Sequence, residues 1–182
     1  MEICVTRERA IHGRLRILGM NPDSKKLCEL LGKFRTAMLV TREPNDDLRT
    51  VPMAVAHVED SGRVWFITSR DSGKAQDLER DPRVQLIFSD DSANYLTVTG
   101  TGVLSTDRAK IEELWKEPFK IWFPAGREDP TIALIAVEPS RAEFWDNSGL
   151  QKLQYLWEAV RAYTSGDKAQ VREGGQHGVL HP

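Results

Sequence analysis

Arg83 to Leu104 reads RVQLIFSDDSANYLTVTGTGVL, and this stretch decides the fold. Its flanks, Arg83 to Phe88 and Tyr95 to Leu104, are rich in β-branched and aromatic residues, while Asp90-Asp91-Ser92-Ala93-Asn94 between them is turn-forming. That is the signature of a hairpin. In the second arm Leu96, Val98, Gly100 and Gly102 fall on one face, and glycines inside a strand signal a bulge or a close backbone approach.

Working towards the N-terminus, Asp81-Pro82 stops a short helix that runs from Lys74 to Arg80 and packs through Ala75 and Leu78. Before it, Arg63 to Thr68 (RVWFIT) has strand length, and Ser69-Arg70-Asp71-Ser72-Gly73 is a polar connection. Thr36 to Thr41 (TAMLVT) and Arg49 to Glu59 (RTVPMAVAHVE) flank the turn-rich Glu43 to Asp47, with Val51, Met53 and Val55 alternating along one face. Earlier still, Asn21-Pro22-Asp23-Ser24 supplies helix-start chemistry for Leu27, Leu30, Leu31 and Phe34 at i, i+3, i+4 and i+7. Pro52 has no N–H for a ladder, so its strand is expected at an edge or bulge.

Towards the C-terminus, Ser105 or Thr106 is positioned to cap a helix carrying Ile111, Leu114 and Trp115. Glu117 to Pro130 (EPFKIWFPAGREDP) is an irregular aromatic loop. Thr131 to Val137 and Arg141 to Trp145 complete about seven strands, and Leu150, Leu153, Trp157 and Val160 recur at helical spacing. Strands outnumber helices and come as hairpins, which favours a mainly β (α+β) antiparallel barrel of about six to seven strands with peripheral helices over a doubly wound sheet. The division is a leader over 1–20, one domain over 21–163 and a glycine-rich tail over 164–182. Arg7, Arg9, Arg14 and Arg16 crowd the leader, which reads as a solvated extension, with an organellar presequence as the alternative.

The chain has 182 residues, 40% hydrophobic and 29% charged, with a formal net charge of -2. This composition fits a globular domain and offers no electrostatic footprint for nucleic acid. Cys4 and Cys28 match no metal spacing and are too few for a disulfide framework, which points to a reducing cytoplasm. No apolar run approaches the roughly 18 residues of a membrane span. Gly73-Lys74 lacks the rest of a P-loop, and Gly100-Thr101-Gly102 does not open a helix as a dinucleotide fingerprint must. The four histidines show no paired ligand spacing, and no G-x-S-x-G elbow is present. No metal is expected.

The segment from Trp65 to Leu78, a strand running through a Thr/Ser/Gly/Lys loop into a helix, suits an anion. Unpaired N–H groups at the helix start, the hydroxyls of Thr68, Ser69 and Ser72, and the Lys74 ammonium can converge on one phosphate. The same pattern also describes an ordinary helix cap with a solvated lysine.

Beyond that segment, the order of pieces resembles the pyridoxamine phosphate oxidase-like FMN-binding split-barrel proteins, most closely their general stress protein branch. The resemblance covers about residues 25 to 160. It is carried by Arg49-Thr50-Val51-Pro52-Met53, by Trp65-Phe66-Ile67-Thr68 followed by Ser72-x-Lys74, and by Asp81-Pro82-Arg83-Val84. Leu114-Trp115, Trp122-Phe123-Pro124-x-Gly126-x-x-Asp129-Pro130 and Ala142-Glu143-Phe144-Trp145 look like the stress branch in particular.

The resemblance implies FMN (or FAD) as cofactor, with Arg49, Ser72 and Lys74 on its phosphate. It places the ring against Val51, Pro52 and Met53 and the backbone at Ile67, Thr68 and Ser69. It also implies a homodimer with flavin at the interface, where Trp122 and Phe123 cover the partner's flavin, although an aromatic pair in a loop reads equally well as core filler. The Arg-Leu-x-Pro ending of the pyridoxamine oxidases is replaced by Gly178-Val179-Leu180-His181-Pro182, so vitamin-B6 oxidation is not implied. Two functions follow as expectations: an FMN-dependent oxidoreductase acting on an unidentified small molecule without a protein nucleophile, or a flavin-binding stress module without turnover.

Overall fold

A computed structural model describes residues 22–91, 94–145 and 177–182. The Arg-rich leader and the helical pattern of Leu150, Leu153, Trp157 and Val160 lie outside the described residues, as does the boundary at 163. Among the described residues, eight strands form one antiparallel sheet, β1 (Thr36–Arg42), β2 (Leu48–Ala54), β3 (His57–Val58), β4 (Val64–Ser69), β5 (Arg83–Ser89), β6 (Tyr95–Ser105), β7 (Ile132–Trp145) and β8 (His177–Leu180). Helices α1 (Pro22–Leu31), α2 (Gly73–Arg80) and α3 (Arg108–Leu114) and two short 3-10 helices, Glu117–Ile121 and Gly126–Glu128, lie around it. None of these helices is long and apolar enough to cross a membrane.

The strand order is β2-β1-β5-β6-β7-β4-β3, with β8 paired to β7. β2 and β3 stand at opposite ends of this path, yet only Val55 and Ala56 separate them in the chain. Three Cα steps of about 3.8 Å keep the two ends within roughly 11 Å, so the sheet must curl into a split barrel. The joining residues bond to both sides, Val55 N–H to the Arg35 carbonyl at 2.9 Å and Ala56 N–H to the Trp65 carbonyl at 2.8 Å. The single strand expected over Arg49 to Glu59 is thus two strands that turn the barrel's corner.

Alternation fills the interior. Leu39, Phe66, Leu86, Phe88, Leu96 and Val98 are fully buried there with Leu27 and Leu31 of α1, and Phe34 just after α1 is buried beside them. Burying an apolar side chain of this size contributes about 1.5–3 kcal/mol before entropy is counted. β8 adds Leu180 to the same core, and the His181 N–H donates to Asp23 at 3.2 Å. The end of the expected tail is therefore a strand of the barrel.

β2 is an edge strand, as Pro52 requires, and Pro52 stands opposite Met38 on β1. The glycines of β6 mark both features their position suggests. The β6/β7 register shifts between Thr99 and Gly100, and a Cβ on Gly100 would lie 2.0 Å from the Glu138 carbonyl oxygen. β7 runs through this irregularity as one strand of 14 residues, where the sequence reads as two.

A second apolar cluster lies outside the barrel. Trp65 and Ile67 of β4 and Ile132, Leu134 and Ala136 of β7 pack against Ile111 and Leu114 of α3 and against Phe119 and Phe123. This layer is why β4 is buried on both faces. α3 is capped by Asp107, whose carboxylate accepts from Ala109 N–H at 2.9 Å and Lys110 N–H at 3.3 Å, in place of Ser105 or Thr106.

Candidate ligand site

A cavity of about 480 Å³ opens where β2 and β4 meet α2 and the Glu117–Ile121 turn. This lies within the usual range for small-molecule sites, roughly 300–1,000 Å³. Thr36, Pro52, Met53 and Ala54 form one wall, and Ile67, Thr68, Ser69, Ser72 and Lys74 form a second. Phe119, Trp122 and Phe123 close the third.

The polar end is built by the β4–α2 connection. Ser72 N–H bonds to the Ser69 carbonyl at 3.1 Å, and Ala75 and Gln76 bond back to the Ser72 carbonyl. The N–H groups of Gly73 and Lys74 lie in the first turn of α2, where helical geometry offers them no partner. Ser72 makes no side-chain cap; its hydroxyl lies 3.2 Å from that of buried Thr68. Two unpaired N–H groups, two hydroxyls and the Lys74 ammonium thus share one end of the cavity. Burial pulls the Lys74 pKa below its ordinary 10.5, and the nearby charge of Arg49 lowers it further.

Arg49 is not on the cavity wall. Its guanidinium lies against Gly73, where a Cβ would meet its Cζ at 2.9 Å. Arg49 Nε donates to Asp77 Oδ2 at 2.8 Å, and its terminal nitrogen pairs with Glu43 at 2.7 Å. Asp77 is 3% exposed and also accepts from the Thr41 hydroxyl at 2.9 Å. The hydrogen bond to Asp77, opposed by partial burial and helped by the charges of Asp77 and Glu43, raises the Arg49 pKa, so Arg49 stays a cation.

The aromatic end divides the expected pair. Phe123 is 7% exposed and packs edge-on to Trp115, while Trp122 is 64% exposed and tilts against Phe119. Phe123 is therefore core as well as wall, and both residues line the cavity of their own chain. Val51 packs on the barrel core and is not among the residues that line the cavity.

Of the residues singled out from sequence, Pro52, Met53, Ile67, Thr68, Ser69, Ser72, Lys74, Trp122 and Phe123 meet at the cavity, while Arg49 and Val51 do not line it. Thr36, Ala54 and Phe119 also line it and were not anticipated. Thr36 and Ala54 are register partners, which becomes visible only once β1 and β2 are aligned. Phe119 precedes Trp122 and Phe123 by three and four residues, a helical spacing within the aromatic loop.

An apolar cavity at the edge of a split antiparallel barrel, with a cationic helix start at one end, defines a class of small-ligand-binding barrels. The chain belongs to the family described as pyridoxamine 5'-phosphate oxidase like, whose model matches residues 22–170. It is 29% identical over 129 residues to protein bli-3 of Neurospora crassa, covering 65% of this chain and 62% of that protein. The chain thus spans less than two thirds of that relative's length. Among solved structures it is similar to a general stress FMN/FAD binding protein from Xanthomonas citri, at 29% identity and a TM-score of 0.59, covering 69% of this chain and 89% of that one. It is also similar to general stress protein 26 from Bacillus anthracis, at 26% identity and a TM-score of 0.60, covering 66% of this chain and 92% of that one.

Proposed function

We propose that this chain binds FMN in the cavity between β2, β4 and α2, and that the bound flavin makes it an oxidoreductase of the general stress type. The observation that carries this reading is the cavity's polarity, apolar and aromatic along its walls and cationic at the start of α2. A planar ring suits Pro52, Met53, Ile67 and Trp122. A phosphate suits the N–H groups of Gly73 and Lys74, the Ser72 hydroxyl and the Lys74 ammonium, with Arg49 behind Gly73. Similarity to a protein that binds FMN or FAD supports the same choice. The flavin supplies the redox chemistry; the protein binds the ring, orients it and shields it from water.

The absorption spectrum of the purified protein tests this directly, with chromatography of the released cofactor separating FMN from FAD. Flavin bands are expected. Failure to bind added FMN up to about 100 μM, a range in which modest sites fill, overturns the reading. The alternative, a flavin-binding stress module without turnover, differs in one measurement, since anaerobic NADH or NADPH then leaves the bound flavin oxidised.

A homodimer belongs to the same proposal. On the outer face of the sheet Pro52, Met38 and Ile87 lie in one row across β2, β1 and β5, and Met38 and Ile87 are exposed at 37% and 38%. Pro52 belongs both to this row and to the cavity wall, so a second copy seated on the row also closes the cavity. Light scattering is expected to report a dimer, and Ile87→Asp to give a monomer that binds flavin more weakly. A wild-type monomer with flavin bound rules the dimer out. A reducing cytoplasm is the proposed setting, consistent with Cys28 forming no disulfide among the described residues.

A further inference from the structure

We infer that Glu43 sets the site's preference for a phosphorylated ligand, by holding Arg49 in the free protein and competing with the ligand's phosphate for it. The inference rests on the FMN reading above. Three observations lead to it.

Arg49 is held by two carboxylates of different kinds. Asp77 is buried and held by two hydrogen bonds, from the Thr41 hydroxyl and from Arg49. It is a positioning residue that sets the guanidinium against Gly73. Glu43 is half-exposed, its side chain at 29%, and sits in the hairpin between β1 and β2. That hairpin is braced by Glu43 N–H on the Asp47 carbonyl at 2.8 Å and by Asp46 in the left-handed region at φ 67°. The brace aims Glu43 back along β2 at Arg49.

The charge of Arg49 is then neutralised in the free protein, because its guanidinium pairs with both Asp77 and Glu43. A phosphate dianion arriving at the start of α2 meets the Lys74 ammonium but gains little from Arg49 until a carboxylate withdraws. Asp77 is held by its two hydrogen bonds. Glu43 is able to turn into water, because an ion pair at a partly exposed site is weakly held. Its withdrawal frees the terminal nitrogen of Arg49, whose planar fork suits phosphate oxygens. A ligand without phosphate gives Glu43 no reason to leave.

The test compares FMN and riboflavin affinity by flavin fluorescence in the wild type, Glu43→Gln, Asp46→Asn and Lys74→Ala. Glu43→Gln is expected to raise the FMN-to-riboflavin affinity ratio roughly fivefold or more, the size of one like-charge repulsion at contact distance in water-like surroundings. Asp46→Asn removes a charge from the same hairpin, but its recorded ion pair is with Arg42, and it is expected to change nothing. An unchanged or lower ratio in Glu43→Gln, or an equal rise in Asp46→Asn, overturns the inference. If Lys74→Ala still lowers the ratio, the phosphate reading survives that failure. If Lys74→Ala leaves the ratio unchanged, the reading itself fails and takes the inference with it.

Discussion

The two apolar clusters of this chain are built to different rules. The barrel interior draws its buried residues from seven of the eight strands, from α1 and from Leu78 of α2, and Phe66, Phe88, Leu39, Leu86 and Leu96 among them are sealed from solvent. The outer cluster draws on the backs of β4 and β7, on α3 and on a short aromatic turn, and it ends at Trp122, which is mostly exposed. The cavity lies between them, taking Met53 from the first and Ile67, Phe119 and Phe123 from the second. Closed packing holds the fold, and the open layer shapes a surface for a ligand. In physical terms, a site needs an unfinished wall, and a core tolerates none.

The largest effect should separate the clusters by stability. Phe66→Ala empties a fully buried position and is expected to cost about 3–5 kcal/mol in urea unfolding. Phe123→Ala, beside the cavity and able to relax into it, should cost less while weakening FMN and riboflavin alike. Equal losses would mean that both layers unfold as one unit with no division of labour.

The next effects divide the cavity itself. Lys74→Ala removes a charge-assisted contact worth about 1.5–3 kcal/mol, so FMN affinity should fall roughly ten- to hundredfold with riboflavin unchanged. Calorimetric titration of both flavins reads this, and a parallel fall in both would place the phosphate elsewhere. Trp122→Ala should instead weaken both ligands equally, by the roughly 0.5–1.5 kcal/mol of an aromatic contact. Its effect on thermal stability should stay small, because the side chain is mostly exposed. A loss confined to FMN would contradict the assignment of Trp122 to the ring end.

What was legible in the sequence follows the same division. Alternation in β2 and β6, the proline of β2 and the paired glycines of β6 each constrain local backbone, so the barrel, its edge and its bulge could be read without partners. The polar end of the cavity could be read as well, since Thr68, Ser69, Ser72 and Lys74 are close neighbours in the chain. Asp77 and Glu43 could not, because an acidic residue on a short helix or in a turn is ordinarily solvated, and only the β1–β2 register together with the packing of α2 on β1 brings Arg49 between them. β8 was hidden for a different reason. His177-Gly178-Val179-Leu180 is too short and glycine-containing to alternate, and β7 gives it its strand form. The corner at Val55 and Ala56 was hidden too, since nothing local distinguishes a strand that continues from one that changes partners.

The smallest effect concerns the proton on Lys74. Burial first, and Arg49 second, place its pKa below 10.5 in the folded protein. The unfolded chain therefore binds more protons between the folded pKa and 10.5, and the ligand-free protein should gain stability as pH rises through that window. Phosphate affinity should move the opposite way, because the neutral amine no longer attracts the anion. The phosphate itself is a dianion well above its second pKa of about 6, and Arg49 keeps its charge, so neither group contributes a slope there. Any titration of the flavin ring is common to FMN and riboflavin and cancels in their ratio. The FMN-to-riboflavin affinity ratio should thus decline in the wild type as pH rises towards the ordinary lysine value of 10.5. In Lys74→Arg, whose side chain remains protonated, the ratio should stay flat across the same range. A decline that persists in Lys74→Arg would assign the proton to another group and detach Lys74 from the phosphate.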